Sequence, residues 1–350
     1  MKRFLVLIPF LLAVIGMLAL VSLVHADGGP LLVEYPVPGS PLHVSVEAPG
    51  RLWLTLPDQN WIARLIVTST ADYAVVTYTI PTADSQPYDL KYAAGFVWFT
   101  EFQGNKIGRL DPGTGEVAEF AIPTSDSGPT GIDVLTGNPV TVWFTERTGN
   151  ALGRLVVTST TDWSLAEFPL SHSNAQPEDL YIQGADSIWF TAPGISRIGN
   201  LRPSIWPGST AFTTFSTGGG SQPWAITVDS DGYPWFTERA GDRIGQFFPQ
   251  TIADILWYTL PLSPNDPYDV AVAFGWVWFT EAEGNRVGQL RPRPTLIRQF
   301  GLPENASPRG LAVDADGCVW IALSGRNRMA AWCSPYFRYV YLPLVLRNYQ

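Results

Sequence analysis

Charge, cysteine and histidine are all scarce in this chain. Charged residues make up 15% of its 350 positions, and 22 lysines and arginines are outnumbered by 31 acids, leaving a formal charge of -9. Such a balance offers no basic stripe to replace the counterions of a nucleic acid, so nucleic acid is excluded as a partner. It disfavours anionic membranes and polyanionic substrates as well. Cys318 and Cys333 are the only cysteines, and the histidines are His25, His43 and His172. No zinc-ligand spacing, no serine or cysteine nucleophile motif and no phosphate-cradling Gly-x-x-x-x-Gly-Lys loop occurs.

Aromatics and turn formers are abundant instead, with 14 Trp, 32 Gly and 30 Pro. That composition reads as many short strands joined by tight turns. A phrase recurs: Trp98-Phe99-Thr100-Glu101, Trp143-Phe144-Thr145-Glu146, Trp235-Phe236-Thr237-Glu238 and Trp278-Phe279-Thr280-Glu281. Trp189-Phe190-Thr191 is followed by Ala192, and weaker copies begin at Trp53 and Trp320. The seven copies stand 42 to 46 residues apart. Each is preceded by a proline opening a short apolar run (Pro41, Pro87, Pro129, Pro177, Pro223, Pro267, Pro308), and the typical copy is followed by a glycine turn and two more runs. A unit of four short strands at this period is a propeller blade, and one blade cannot bury both its faces. The fold expected is all-β, a seven-bladed β-propeller over residues 31–335.

The ends supply the closure. The seventh unit lacks an outer strand, and Leu32-Val33-Glu34-Tyr35-Pro36 matches the outer-strand pattern of Leu165-Ala166-Glu167-Phe168-Pro169. The N-terminal strand is therefore expected to close the ring, leaving no open sheet edge. A hairpin about Gly325 and Arg326 would set 318 opposite 333 and 322 opposite 329, which predicts a Cys318–Cys333 disulfide. Residues 1–26 read as a secretory signal peptide, with Lys2 and Arg3, an apolar run and Val24-His25-Ala26 at the cleavage site. The same run is long enough to serve as an uncleaved anchor, the one route to a membrane. Export to the cell surface or beyond suits a disulfide. Residues 336–350 form a C-terminal tail without an assigned role.

The phrase, the stretch Gly104-Asn105-Lys106-Ile107-Gly108-Arg109-Leu110 and the opening prolines resemble the virginiamycin B lyase (streptogramin B lyase) family. That resemblance implies an elimination that linearises a cyclic depsipeptide, with a histidine base directly after an opening proline and Mg²⁺ held by two acids. Here the residues after the opening prolines are Leu42, Tyr88, Thr130, Glu178, Trp224, Tyr268 and Arg309. None is histidine. The acid pair matching the metal ligands is Asp266 with Glu281, and Tyr268 stands at the position of the base. His172, in a loop expected on the same face, is the other candidate beside the reacting group.

In an up-and-down blade, the loop entering strand one and the loop leaving strand two lie on one face. The residues after each proline should therefore converge on one mouth of the central channel, together with the glutamates that close the phrase. Those repeated glutamates are expected to be structural, because a site on a repeat scaffold must break the repeat. Candidate ligand-binding residues at the mouth are Tyr88, Asp89, Glu178, Asp179, Trp224, Tyr268, Asp269 and Arg309. Aromatics beside carboxylates suit a small molecule, a peptide or a glycan. The expected function is that of a monomeric ligand-binding propeller without the family's histidines. The alternative is a Mg-dependent lyase or hydrolase opening a cyclic depsipeptide, lactone or sugar ester through Asp266 and Glu281, joined by Glu178.

Overall fold

The computed structural model describes residues 22–25, 31–159, 161–208, 211–249 and 254–333. Seven antiparallel sheets follow one another along the chain. Blade one runs Val44–Ala48, Arg51–Leu56, Trp61–Val67 and Tyr73–Thr79, and the next five blades repeat this meander. Blade seven takes Pro308–Val313, Val319–Leu323 and Arg328–Trp332 from the C-terminal side and Leu31–Pro36 from the N-terminal side. The ring is thus closed by the N-terminal strand, in the register Leu32 opposite Trp332 and Pro36 opposite Arg328. Ser22–His25 adds a fifth strand outside it. The rest of the expected signal segment and the tail from 336 lie outside the described residues.

Each letter of the phrase has its own mechanical task. The tryptophan of one blade packs against the phenylalanine of the next: Trp53 with Phe99, Trp98 with Phe144, Trp143 with Phe190, Trp189 with Phe236 and Trp235 with Phe279. These five contacts, with Trp278 against Ile321 and Trp320 against Leu54 at the other two seams, make the core a belt between blades, as expected of units that cannot bury both faces alone. Each phenylalanine in turn lies flat on a glycine of the neighbouring strand. A Cβ on Gly108, Gly153, Gly199, Gly245 or Gly288 would fall between 2.0 and 2.4 Å from the ring it faces. Only glycine admits that approach.

Threonine joins the blades through polar atoms. The hydroxyl of Thr55, Thr100, Thr145, Thr191, Thr237 and Thr280 donates to the carbonyl of the residue after the next blade's opening proline, at 2.6 to 3.2 Å. The same oxygen accepts a backbone N–H two residues after its own blade's proline, from His43, Asp89, Gly131, Asp179, Ala225 and Asp269 in order. Blade seven has Ala322 instead, and there Gly310 N–H donates directly to Leu42 O at 2.8 Å. Cys318 and Cys333 are disulfide-bonded beside the closing strand, in the hairpin register 319 opposite 332.

Candidate functional site

Two features aim the residues after the prolines at the channel mouth. In blades two, three, five, six and seven the first strand carries a register shift just past its proline, for example between Pro87 and Leu90. A bulge there lifts two residues out of the ladder and re-aims their side chains. The threonine clamp then fixes their backbone from both sides. Side-chain identity at these positions is therefore free to vary without loosening the blade.

The structure brings five of the expected mouth residues into one cluster. Tyr88 Oη donates to Glu178 Oε1 at 2.6 Å and lies 3.3 Å from Tyr268 Oη. With Tyr88's proton committed to the carboxylate, Tyr268 is the donor to Tyr88. The Trp224 ring stands 5.9 Å from that of Tyr268. Arg309 lies over the Tyr268 ring at 4.7 Å. Burial, and then the Glu178 charge, raise the Tyr88 phenol well above its usual range. Burial raises Tyr268 to about 12. Glu178 rises to about 7, because burial outweighs the nearby Arg147.

Three further residues complete the cluster. Arg147 Nη1 sits 3.3 Å from Glu178 Oε2 and its guanidinium 5.2 Å from the Trp224 ring. Arg239 lies over Trp224 at 4.3 Å and over Tyr268 at 5.6 Å. His43 packs against Tyr88 and Tyr268 at 5.5 and 6.1 Å, with Nδ1 3.3 Å from Asp89 Oδ1. Burial lowers its pKa, which keeps the imidazole neutral. Sequence reasoning passed over all three, although a signal existed. Arg147 and Arg239 directly follow the phrase's glutamate, and His43 stands two residues after its proline, as Asp89, Asp179 and Asp269 do.

The three aspartates have a different use. Asp89 accepts the N–H of Leu90 and of Ile132 in the next blade; Asp179 accepts Leu180 and Ile226; Asp269 accepts Val270 and Leu311. Both oxygens of each carboxylate are turned to the framework. Burial raises Asp89 to about 7 and Asp269 to about 6. His172 is exposed, with Nδ1 3.4 Å from Ser171 Oγ, and makes no contact with the cluster.

The resemblance implies a magnesium ion on Asp266 and Glu281, and the side chains do not fit one. Asp266 is gripped by Arg239 through both Nε and Nη2, and Glu281 is bound by Arg286 at 2.9 Å and by Gln299. Each carboxylate already has its own cationic partner. Among the described residues, no group of three or more His, Cys, Asp or Glu could hold a metal ion. The remaining glutamates of the phrase form no ring either. Glu238 is paired with Arg243, while Glu101 and Glu146 are buried without hydrogen-bond partners.

Comparison with known proteins agrees with this architecture. The virginiamycin B lyase family matches residues 31–330. Virginiamycin B lyase of Nocardia farcinica (strain IFM 10152) is 36% identical over 81 residues, a match spanning 23% of this chain and 27% of the relative's length. The crystal structure of virginiamycin B lyase from Staphylococcus aureus superposes with a TM-score of 0.75 at 28% identity, covering 86% of this chain and 98% of that one. A catalytically inactive histidine-to-alanine variant of the Staphylococcus aureus enzyme with quinupristin gives 0.74 at 26% identity, over 86% and 98% of the two chains. The continuous repeat, its register and these matches have one conclusion: this chain belongs to the virginiamycin B lyase family.

Proposed function

We propose that this chain is a ligand-binding propeller of the cell exterior, built on the lyase scaffold without the lyase chemistry. The observation that carries this reading is the residue at the base position. Tyr268 is a phenol held near pKa 12 and hydrogen-bonded to Tyr88, so almost none of it is ionised at neutral pH. The nearest imidazole, His43, has Nε2 buried without a partner, out of reach of a substrate proton. What remains at the mouth is aromatic surface with fixed hydrogen-bond donors, which is recognition chemistry.

The test is incubation of purified protein with quinupristin, with and without Mg²⁺, followed by chromatography and mass spectrometry. Elimination would move the retention time without changing the mass; hydrolysis would add one water. The expected result is unchanged compound. Turnover by either route would refute the reading in favour of the metal-dependent lyase or hydrolase. That alternative requires Arg239 to release Asp266, and Arg286 with Gln299 to release Glu281. Export is supported by the Cys318–Cys333 bond. Fractionation of expressing cells checks it, and protein confined to the cytosol would contradict it.

A further inference from the structure

Counting hydrogen-bonding capacity at the mouth narrows the ligand. Every carboxylate there is already used: Glu178 by Tyr88 and Arg147, Asp266 by Arg239, and the three aspartates by two backbone N–H groups each. One cation is not. Among the described residues the Arg309 guanidinium makes no hydrogen bond and no ion pair, and it lies 4.7 Å over the Tyr268 ring. A guanidinium carries five N–H donors in a planar fork that matches a carboxylate. Arg309 also lines a groove of about 410 Å³ between blades seven and one, with Ser40, Leu42, Pro57, Ser307 and Ser324. The groove's single acid, Asp58, accepts the Ser40 N–H and Gln59.

From this we infer that the mouth and the groove form one site for a ligand carrying a carboxylate beside a flat ring. Arg309 reads the carboxylate, and the partly exposed Trp224 and Tyr88 take the ring, with the buried Tyr268 beneath Arg309 as its support. The inference rests on the ligand-binding reading and sharpens it. Arg147 and Arg239 are paired with Glu178 and Asp266, and the three aspartates are turned to the framework, so among the described residues Arg309 is the cation at the mouth without an acidic partner. Charges on the acidic body further away than about 8 Å are largely screened at physiological salt. A cationic ligand would meet the guanidiniums with no free carboxylate to receive it.

The experiment compares three probes of one shape: N-acetyl-phenylalanine, its neutral amide, and phenethylamine as the cation. Binding to the full chain is measured by calorimetry at fixed ionic strength. The acid should bind about tenfold more tightly than the amide, the factor one charge-assisted hydrogen bond contributes. Phenethylamine should bind most weakly. Arg309→Gln should bring acid and amide to parity by weakening the acid more than the amide, with a cooperative thermal transition retained as the check that the variant is folded. Arg309→Lys should retain part of the preference. Equal binding of all three probes would overturn the inference and leave the ligand-binding reading standing. So would a preference that survives Arg309→Gln. Binding of none at millimolar concentration would overturn the inference, and the quinupristin experiment would then decide the broader reading separately.

Discussion

Glu146→Gln tests how the repeated glutamate is accommodated. Glu146 is fully buried, and neither carboxylate oxygen has a hydrogen-bond partner. Burial, and then repulsion from Glu167, raise its pKa from 4.5 to about 8. In the unfolded chain the group returns to its ordinary value. Between those two pH values the folded protein keeps a proton that the unfolded chain has lost, so stability falls as pH rises. At about 1.4 kcal/mol per pKa unit, this one carboxyl removes about 2.5 kcal/mol between pH 5 and pH 7. Glutamine has nearly the same shape and is neutral at every pH. Urea denaturation from pH 5 to pH 8 should therefore show the variant diverging upward from the wild type as pH rises. Parallel stability curves would refute the assignment.

The same position elsewhere gives the control. Cross-strand pairing sets Glu146 opposite Ala151 but Glu238 opposite Arg243 and Glu281 opposite Arg286. Glu238 accepts the Gln222 N–H at 2.8 Å and pairs with Arg243 at 3.0 Å. Glu238→Gln should therefore destabilise the protein at neutral pH, the opposite sign to Glu146→Gln, because it leaves the Arg243 guanidinium without its partner. Two substitutions identical in chemistry and in place in the repeat thus separate by the residue across the ladder.

Other expectations follow from the clamps and contacts. Thr237→Val leaves the buried Ala225 N–H without its acceptor and should cost about 2 kcal/mol by denaturant titration; an unchanged midpoint would remove the clamp from the argument. Gly153→Ala drives a methyl group to 2.0 Å from Phe144 Cζ and should destabilise by about 3 kcal/mol, with Phe144→Leu restoring part of the loss. Replacing Cys318 and Cys333 by serine opens a 15-residue loop and should lower stability by about 3 kcal/mol, read as a fall in thermal midpoint. Ultraviolet titration should find the Tyr88 and Tyr268 phenols still protonated at pH 10.5, so the double phenylalanine variant should match the wild type's phenolate absorbance at that pH and fall below it only at full ionisation.

Much of the fold was legible because the repeat states it seven times. The opening prolines, the phrase and the orphan strand Leu31–Pro36 fix the blade number, the closure and the disulfide register without reference to any single contact. The mouth was legible only in part. Tyr88, Glu178, Trp224, Tyr268 and Arg309 each directly follow an opening proline, and the threonine clamp holds the backbone of all five in the same way. The next residue obeys a different rule. Asp89, Asp179 and Asp269 turn back to bind N–H groups of the neighbouring blade, and a one-residue offset cannot be told from the sequence when both positions carry polar side chains. Arg147 and Arg239 were missed because a turn outside the repeated phrase does not announce where its side chains fold. Glu101, Glu146, Glu238 and Glu281 look alike in sequence, yet Glu238 and Glu281 are paired with the arginine five places on, Glu146 stands opposite Ala151, and Lys106, five places after Glu101, turns to Glu119 instead.

The threonine clamps explain why a site arises where it does. In six blades the phrase holds the next blade by the carbonyl of the mouth residue, so the framework is satisfied whatever side chain stands there. The seventh junction cannot use that device, because Ala322 replaces threonine. Gly310 N–H reaches Leu42 O instead, and a Cβ on Gly310 would meet that oxygen at 2.7 Å. Ser324 and Ser40 tie the same seam by hydroxyl bonds, Ser324 to Pro41 O and Ser40 to Ser324 O. These bonds run through loops, and between them lies the groove that Arg309 lines. The threonine clamp is lost only where the two ends of the chain must meet. Closure therefore supplies the asymmetry that a binding site on a repeated scaffold requires, and the unpaired guanidinium stands at that seam.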